Sequence, residues 1–177
     1  MIAPASPSAG SPFWRFSLRF YRRRGVADAC ITLQEQAGVD VNLLLFLLWH
    51  ATHKRTLSTA EISELEGRTA PWRNMTVVPL RSMRRALKAP PMLVDGATAE
   101  LFRSKIKAAE LEAERLQQEA MHELAVPSLL GKDAASLEAA AHANIAAYAA
   151  LCGRAFPSSA SETLLAALAS LERNPEE

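Results

Sequence analysis

The sequence predicts an all-α fold, a single-domain bundle of seven to eight helices around a buried central helix at about 41–53. Three observations carry that reading. From Leu43 to Trp49 every side chain is large and apolar, and a helix apolar all round is a buried one. The run is too short to cross a bilayer, which takes roughly 20 residues. Glycine is scarce and alanine abundant, and no period-2 alternation of β-branched and aromatic residues runs long enough for a sheet. Finally, 177 residues with 49% hydrophobic side chains suit one domain with a sizeable core and exclude disorder over most of the chain.

In chain order, residues 1–10 are Ala/Pro/Ser-rich and expected to form a flexible tail before a helical domain over 11–173. Ser11-Pro12 is an N-cap followed by proline at the first helical position, where the missing N–H costs nothing. The first helix carries Phe13, Trp14, Phe16, Leu18 and Phe20 to about Arg23, and Gly25 stops it. A second helix spans Val26 to Gln36, closed by Gly38 in a position favouring left-handed backbone. Asp40 caps the central helix.

Ser58-x-x-Glu61 has the form of a capping box and opens a short helix that Gly67 is expected to end. Thr69 then caps a helix from Ala70 to Lys88, kinked where Pro79 clashes with the carbonyl of Met75. Pro90-Pro91 makes a stiff connection, and the charge shift there marks the one candidate domain boundary. The longest helix, about 98–124, presents Phe102, Ile106, Ala109, Ala113, Leu116, Ala120 and Leu124 as a heptad-like apolar seam, its opposite face solvated. Val126-Pro127 breaks it. Asp133 is expected to cap an alanine-rich helix that reaches Cys152 and stops at Gly153. Ser159 and Glu162 form a second capping box before a last helix, 164–171, and 174–177 fray.

Net charge is only +1, but it is unevenly spread. Residues 1–94 carry 13 Lys/Arg against 6 Asp/Glu, whereas 95–177 carry 7 against 13. Such a split means internal complementarity, association, or a basic surface kept for an acidic partner. Cys30 and Cys152 sit in apolar helical pattern and read as reduced thiols. The N-terminus has neither a basic n-region nor an apolar h-region, so a cytoplasmic location and no membrane span are expected.

Three blocks carry a resemblance: Phe13-Trp14-x-Phe16-Ser17-Leu18, Asp40-Val41-Asn42-Leu43-Leu44-Leu45-Phe46, and Trp72-Arg73 followed by Val78-Pro79-Leu80-Arg81 and Arg84. Together they resemble the signature of a proteobacterial family of small helical proteins known as a domain of unknown function, over roughly residues 13 to 150. The resemblance implies a stand-alone bacterial cytoplasmic helical protein and transfers no activity and no catalytic residues.

The residues themselves offer one leading candidate. At 100° per residue, Arg73, Arg81, Arg84, Arg85 and Lys88 fall within an arc of about 120°, and arginine's planar fork suits carboxylates and phosphates. Arg22, Arg23 and Arg24 could join them in the fold. This points to a non-enzymatic binding or adaptor protein whose basic helix engages an acidic protein or a phosphorylated ligand. The competing reading is a solvated stripe paired with the acidic half, chiefly Glu110, Glu112 and Glu114. Nucleic acid is weakly supported, since whole-chain neutrality and the lack of any helix-turn-helix, zinc-finger or RNA-binding signature argue against base reading.

The alternative is a small-molecule or enzyme-like site in the bundle core near Trp72, Arg73, Asn42 and His50. His50-x-x-His53 puts two imidazoles on one helix face, where a third ligand from His122, His142 or a carboxylate would complete a metal site. Polar histidines also simply suit a helix C-terminus. Glu61-x-x-Glu64 with Glu66 reads as ordinary helix surface. The sequence assigns no catalytic residues, no metal and no cofactor.

Overall fold

The computed structural model describes residues 10–89, 93–125 and 130–173. The tail expected before Gly10, the Pro90-Pro91 connection, the Val126-Pro127 break and the frayed end at 174–177 lie outside the described residues.

Helix α1 (Pro12–Tyr21) starts as its sequence dictates, with Ser11 Oγ accepting from the Trp14 N–H at 3.1 Å. It buries Phe13, Trp14, Phe16 and Phe20. Helix α2 (Val26–Ala37) lies between two left-handed glycines, Gly25 and Gly38. Helix α3 (Val41–Thr52) is capped by Asp40, whose Oδ1 accepts the Asn42 N–H at 2.9 Å. Leu43 to Leu48 are all buried and Trp49 half-buried, so α3 is the central rod. Contacts from α1, α2, α6 (Gly96–Ala125), α7 (Leu137–Cys152) and α8 (Ser158–Arg173) sheathe it. Fully burying a leucine is worth about 2 kcal/mol, and this rod contributes six such apolar residues in succession to the core.

Residues 59–86 form one continuous rod instead of two helices. Helix α4 (Thr59–Trp72) passes through Gly67 and runs into a π-helical segment, Arg73–Val77, and then α5 (Val78–Ala86). The capping box at Ser58 and Glu61 forms as expected. Gly67 does not stop the helix, because burial of Ile62, Leu65 and Thr69 on one face outweighs a glycine penalty of about 1 kcal/mol. Thr69 is no cap; its hydroxyl donates to the Leu65 carbonyl at 3.0 Å. The kink expected at Pro79 takes the form of a wider turn, with the Val78 N–H bonded to the carbonyl of Arg73, five residues back. That places Pro79 in the first turn of α5, where a missing N–H is tolerated. Counted this way, the described residues give seven helical rods.

Helix α6 spans 30 residues, about 45 Å at 1.5 Å per residue. Its buried stripe is Ala99, Glu110, Ala113, Gln117, Gln118 and Met121, not the expected apolar seam. Phe102 and Leu116 are 49% and 43% exposed. The polar side is the packed side because it meets the polar start of α3 and the arginines of α5, described below.

Strand β1 (Arg55–Thr56) pairs antiparallel with β2 (Lys132–Asp133), a two-residue clasp in an otherwise helical chain. Asp133 therefore does not cap α7; Ser136 does, its Oγ accepting from Ala139 N–H at 3.1 Å. Gly131 is required here. Its φ is +79°, and a Cβ would lie 2.3 Å from the Thr56 carbonyl oxygen. Fully buried Asn144 of α7 ties the clasp to the rod, donating to the carbonyls of Leu47 (2.9 Å) and Arg55 (3.0 Å) and accepting from Leu57 N–H (2.8 Å). Ala140 and Ala141 let α7 approach α3 closely. Helix α8 begins at Ser158, so Ser159 sits inside its first turn, and its Leu164 and Leu168 are buried. Cys30 is buried and Cys152 half-buried, both as free thiols. Among the described residues, no helix is long and apolar enough to cross a membrane.

Candidate functional site

A polar seam runs under the start of α3. The Asp40 carboxylate, after capping α3, accepts from Arg73 Nη1 at 2.8 Å and from Gln117 Nε2 at 2.9 Å, both at Oδ2. Gln117 Oε1 in turn accepts from Asn42 Nδ2 at 3.1 Å, and Asn42 Oδ1 from Gln118 Nε2 at 2.8 Å. Arg73 closes the far end with a two-toothed bond to Glu66, at 2.9 and 2.6 Å. The π-helical segment starts at Arg73 and turns its guanidinium onto both carboxylates. Hydrogen bonding to Glu66, then to Asp40, holds the Arg73 pKa above its ordinary value. The Asp40 N–H donates to the Tyr148 hydroxyl at 2.9 Å; burial first, and the Asp40 charge second, push the Tyr148 pKa up.

The next turns of the basic helix face α6. Arg81 bonds Glu110 at 3.1 Å and Glu114 at 2.8 Å, and Arg84 grips both oxygens of Glu110. Glu110 is 5% exposed. Burial works to raise its pKa, but Arg84 and Arg81 together outweigh it and hold the carboxylate below the usual range. Glu114 moves the other way: burial raises it, and Arg81 alone offsets too little. Besides its burial, Glu114 has one arginine instead of two, and the nearby Glu110 and Asp40 charges push it the same way. Arg85, half-exposed, pairs with Glu35 of α2 at 2.9 Å.

Between α1–α2 on one side and α5–α6 on the other lies an open cleft of about 720 Å³, within the size range of small-molecule sites. Trp14, Leu18, Val41 and Leu45 give it an apolar lining, with Ser17, Asn42 and Gln118 among them. Tyr21 stands at its edge, its pKa raised by burial and then by the neighbouring Cys30 and Glu114. Six cations surround it: Arg22, Arg81, Arg84, Arg85, Lys88 and Lys107. Arg81, Arg84 and Arg85 are engaged with carboxylates, whereas Arg22, Lys88 and Lys107 make no salt bridge among the described residues. The Arg85–Glu35 pair joins the two walls. Two buried polar atoms of the lining, Ser17 Oγ and Gln118 Oε1, have no hydrogen-bond partner among the described residues.

The structure thus gathers Arg81, Arg84, Arg85 and Lys88 at one cleft and sends Arg73 to the seam beneath it. Of the Arg22–Arg24 run, Arg22 joins the cleft while Arg23 reaches toward Ser170 of α8, at 3.4 Å. Of the core site expected around Trp72, Arg73, Asn42 and His50, Arg73 and Asn42 meet in the seam through Asp40 and Gln117, and the other two stand apart from it. Asn42 lines the cleft, but Trp72 donates from Nε1 to the Ala113 carbonyl at 3.0 Å. His50 lies elsewhere, against Phe46 and Trp49, its Nδ1 3.1 Å from the Phe46 carbonyl. Burial lowers the His50 pKa to about 4. His53 likewise turns Nδ1 back to the carbonyl of Trp49 at 3.0 Å. No three His, Cys, Asp or Glu side chains among the described residues come together to hold a metal. Ser17, Tyr21, Lys107 and Gln118 were not among the expected site residues, since each looks ordinary on its own helix and gains meaning only when α1 and α6 face each other.

Comparison with known proteins finds no match among curated proteins and none among solved structures. One family model matches, over residues 12–121, described as "Protein of unknown function (DUF2390)". That span holds the three sequence blocks, the capped start of α3, the π-helical segment and every residue named at the cleft. The chain belongs to this DUF2390 family.

Proposed function

We propose that this chain is a non-enzymatic binding protein that receives an anionic ligand in the cleft beside its arginine-bearing helix. One observation carries the reading: Arg22, Lys88 and Lys107, without salt bridges among the described residues, surround an apolar-lined cleft of about 720 Å³. Cations over low-dielectric walls raise the local concentration of anions and favour their capture. The neighbouring Arg81 and Arg84 are bound to Glu110 and brace that wall. Among the described residues Arg85 is paired with Glu35 alone, an exposed contact worth about 0–1 kcal/mol, and an arriving anion can draw it away. A cytoplasmic location and a proteobacterial origin accompany this reading.

The test is fluorescence titration with 8-anilinonaphthalene-1-sulfonate, an anion with an apolar body. Binding should weaken with added salt, and the variant R22E/K88E/K107E should lose at least tenfold in affinity with an unchanged circular dichroism spectrum. Equal affinity in the variant would reject the reading. Reversing Arg81 and Arg84 is the wrong experiment, because it strands the buried Glu110.

A further inference from the structure

The seam under the cleft has a direction. Asp40 carries a carboxylate, which in its charged form only accepts hydrogen bonds, so Gln117 must turn its NH₂ toward it. That leaves Gln117 Oε1 to accept from Asn42 Nδ2, which leaves Asn42 Oδ1 to accept from Gln118 Nε2. Three side-chain amides are thereby oriented in series from one charge. Flipping any of them would set oxygen against oxygen or NH₂ against NH₂. The last amide ends on Gln118 Oε1, an acceptor with no partner among the described residues, in a residue only 3% exposed that lines the cleft. From the facing helix α1, Ser17, also 3% exposed, contributes a second unpartnered oxygen to the same lining. Buried polar atoms are almost always bonded, and these two acceptors, on facing helices beside one cleft, can each take a donor that reaches them.

We propose that the cleft's ligand carries a hydrogen-bond donor, an O–H or N–H, on the end of its apolar body opposite its anionic group. Gln118 Oε1 and Ser17 Oγ read that donor after the lining side chains swing aside, while Arg22, Lys88 and Lys107 hold the anion. The proposal rests on the cleft being an anion-binding site, and it adds the polarity of the buried end. A simple fatty carboxylate lacks the donor; a hydroxylated or N–H-bearing aromatic acid or phosphate has it.

The test uses a matched pair of rigid anions, 2-naphthoate and 6-hydroxy-2-naphthoate, whose hydroxyl and carboxylate lie at opposite ends, followed by isothermal titration calorimetry. The 6-methoxy compound serves as the control for size. The hydroxyl form should bind about tenfold tighter than the other two, the effect expected when a buried acceptor gains a donor. In S17A/Q118M the three should agree within twofold. Ser17→Ala alone should leave the free protein's melting temperature unchanged or raised, because it removes an unpaired buried hydroxyl. Equal binding of all three to the natural chain would overturn this inference and leave the anion site standing. No binding of any would overturn both, and a clear fall in melting temperature for Ser17→Ala would show the hydroxyl to be structural.

Discussion

Asp40 and Arg73 meet at 2.8 Å, with the Asp40 side chain only 4% exposed. The contact joins the start of the central rod to the π-helical segment, two places that are 33 residues apart. Wide π-type turns recur at functional positions, and here the turn aims one guanidinium at two carboxylates.

Arg73→Met should therefore be costly. It leaves a buried Asp40 carboxylate with Gln117 as its remaining side-chain donor, and breaking such a pair costs about 3 kcal/mol. Urea unfolding should show the loss as a lower midpoint with an unchanged slope. A cost under about 0.5 kcal/mol, the level of an ordinary surface change, would show that the pair is ornamental.

Glu110 and Glu114 should answer differently to the same substitution. Glu110→Gln removes the charge that two arginines share and should destabilise by about 2 kcal/mol, within the range for hydrogen-bonded charged groups. Glu114→Gln removes a carboxylate that burial already disfavours, and should cost under about 1 kcal/mol. Equal costs measured by chemical unfolding at neutral pH would contradict the opposite pKa directions of the two groups.

His50 gives the pH dependence. Its folded pKa is lowered to about 4 from 6.5, chiefly by burial, with His53, Arg55 and Glu61 acting on it as well. Between those values the unfolded chain binds the extra proton, so stability is complete above about pH 6.5 and falls as pH drops toward 4. The contribution is about 3 kcal/mol at most, at 1.36 kcal/mol per unit. In His50→Phe that fall should be absent, so the two stability curves should diverge as pH drops from about 6.5 toward 4; parallel curves for both chains would refute it.

Gly131→Ala tests the clasp. With φ at +79° and the Thr56 carbonyl oxygen 2.3 Å from the new Cβ, the β1–β2 pairing must open, at about 2 kcal/mol for strain and lost bonds. Amide exchange at Thr56 and Lys132 should accelerate while the α3 amides stay protected.

The rod, the caps at Ser11, Asp40 and Ser58, and the stops at Gly38 and Gly153 were legible because each rests on neighbours in sequence. Gly67 and Thr69 misled, since their local signals were weaker than the burial of Ile62 and Leu65 on a shared face. Helix α6 misled more deeply. Periodicity locates an apolar stripe, but Glu110, Gln117 and Gln118 are drawn inward by Arg84, Asp40 and Asn42, partners 26 to 77 residues away. The arginine arc was visible at its spacing, whereas its division into cations that brace the wall and those without a salt bridge among the described residues depended on which helix lay opposite.

Helices α7 and α8 lie wholly beyond residue 121, where the family match stops. Yet Ala140, Ala141 and Asn144 close one whole flank of the leucine rod. A fragment cut to the shared span would leave that flank wet, and would bind hydrophobic dyes indiscriminately instead of folding. The matched span is thus not a self-sufficient unit in this chain, and the two C-terminal helices complete the roof over its leucines.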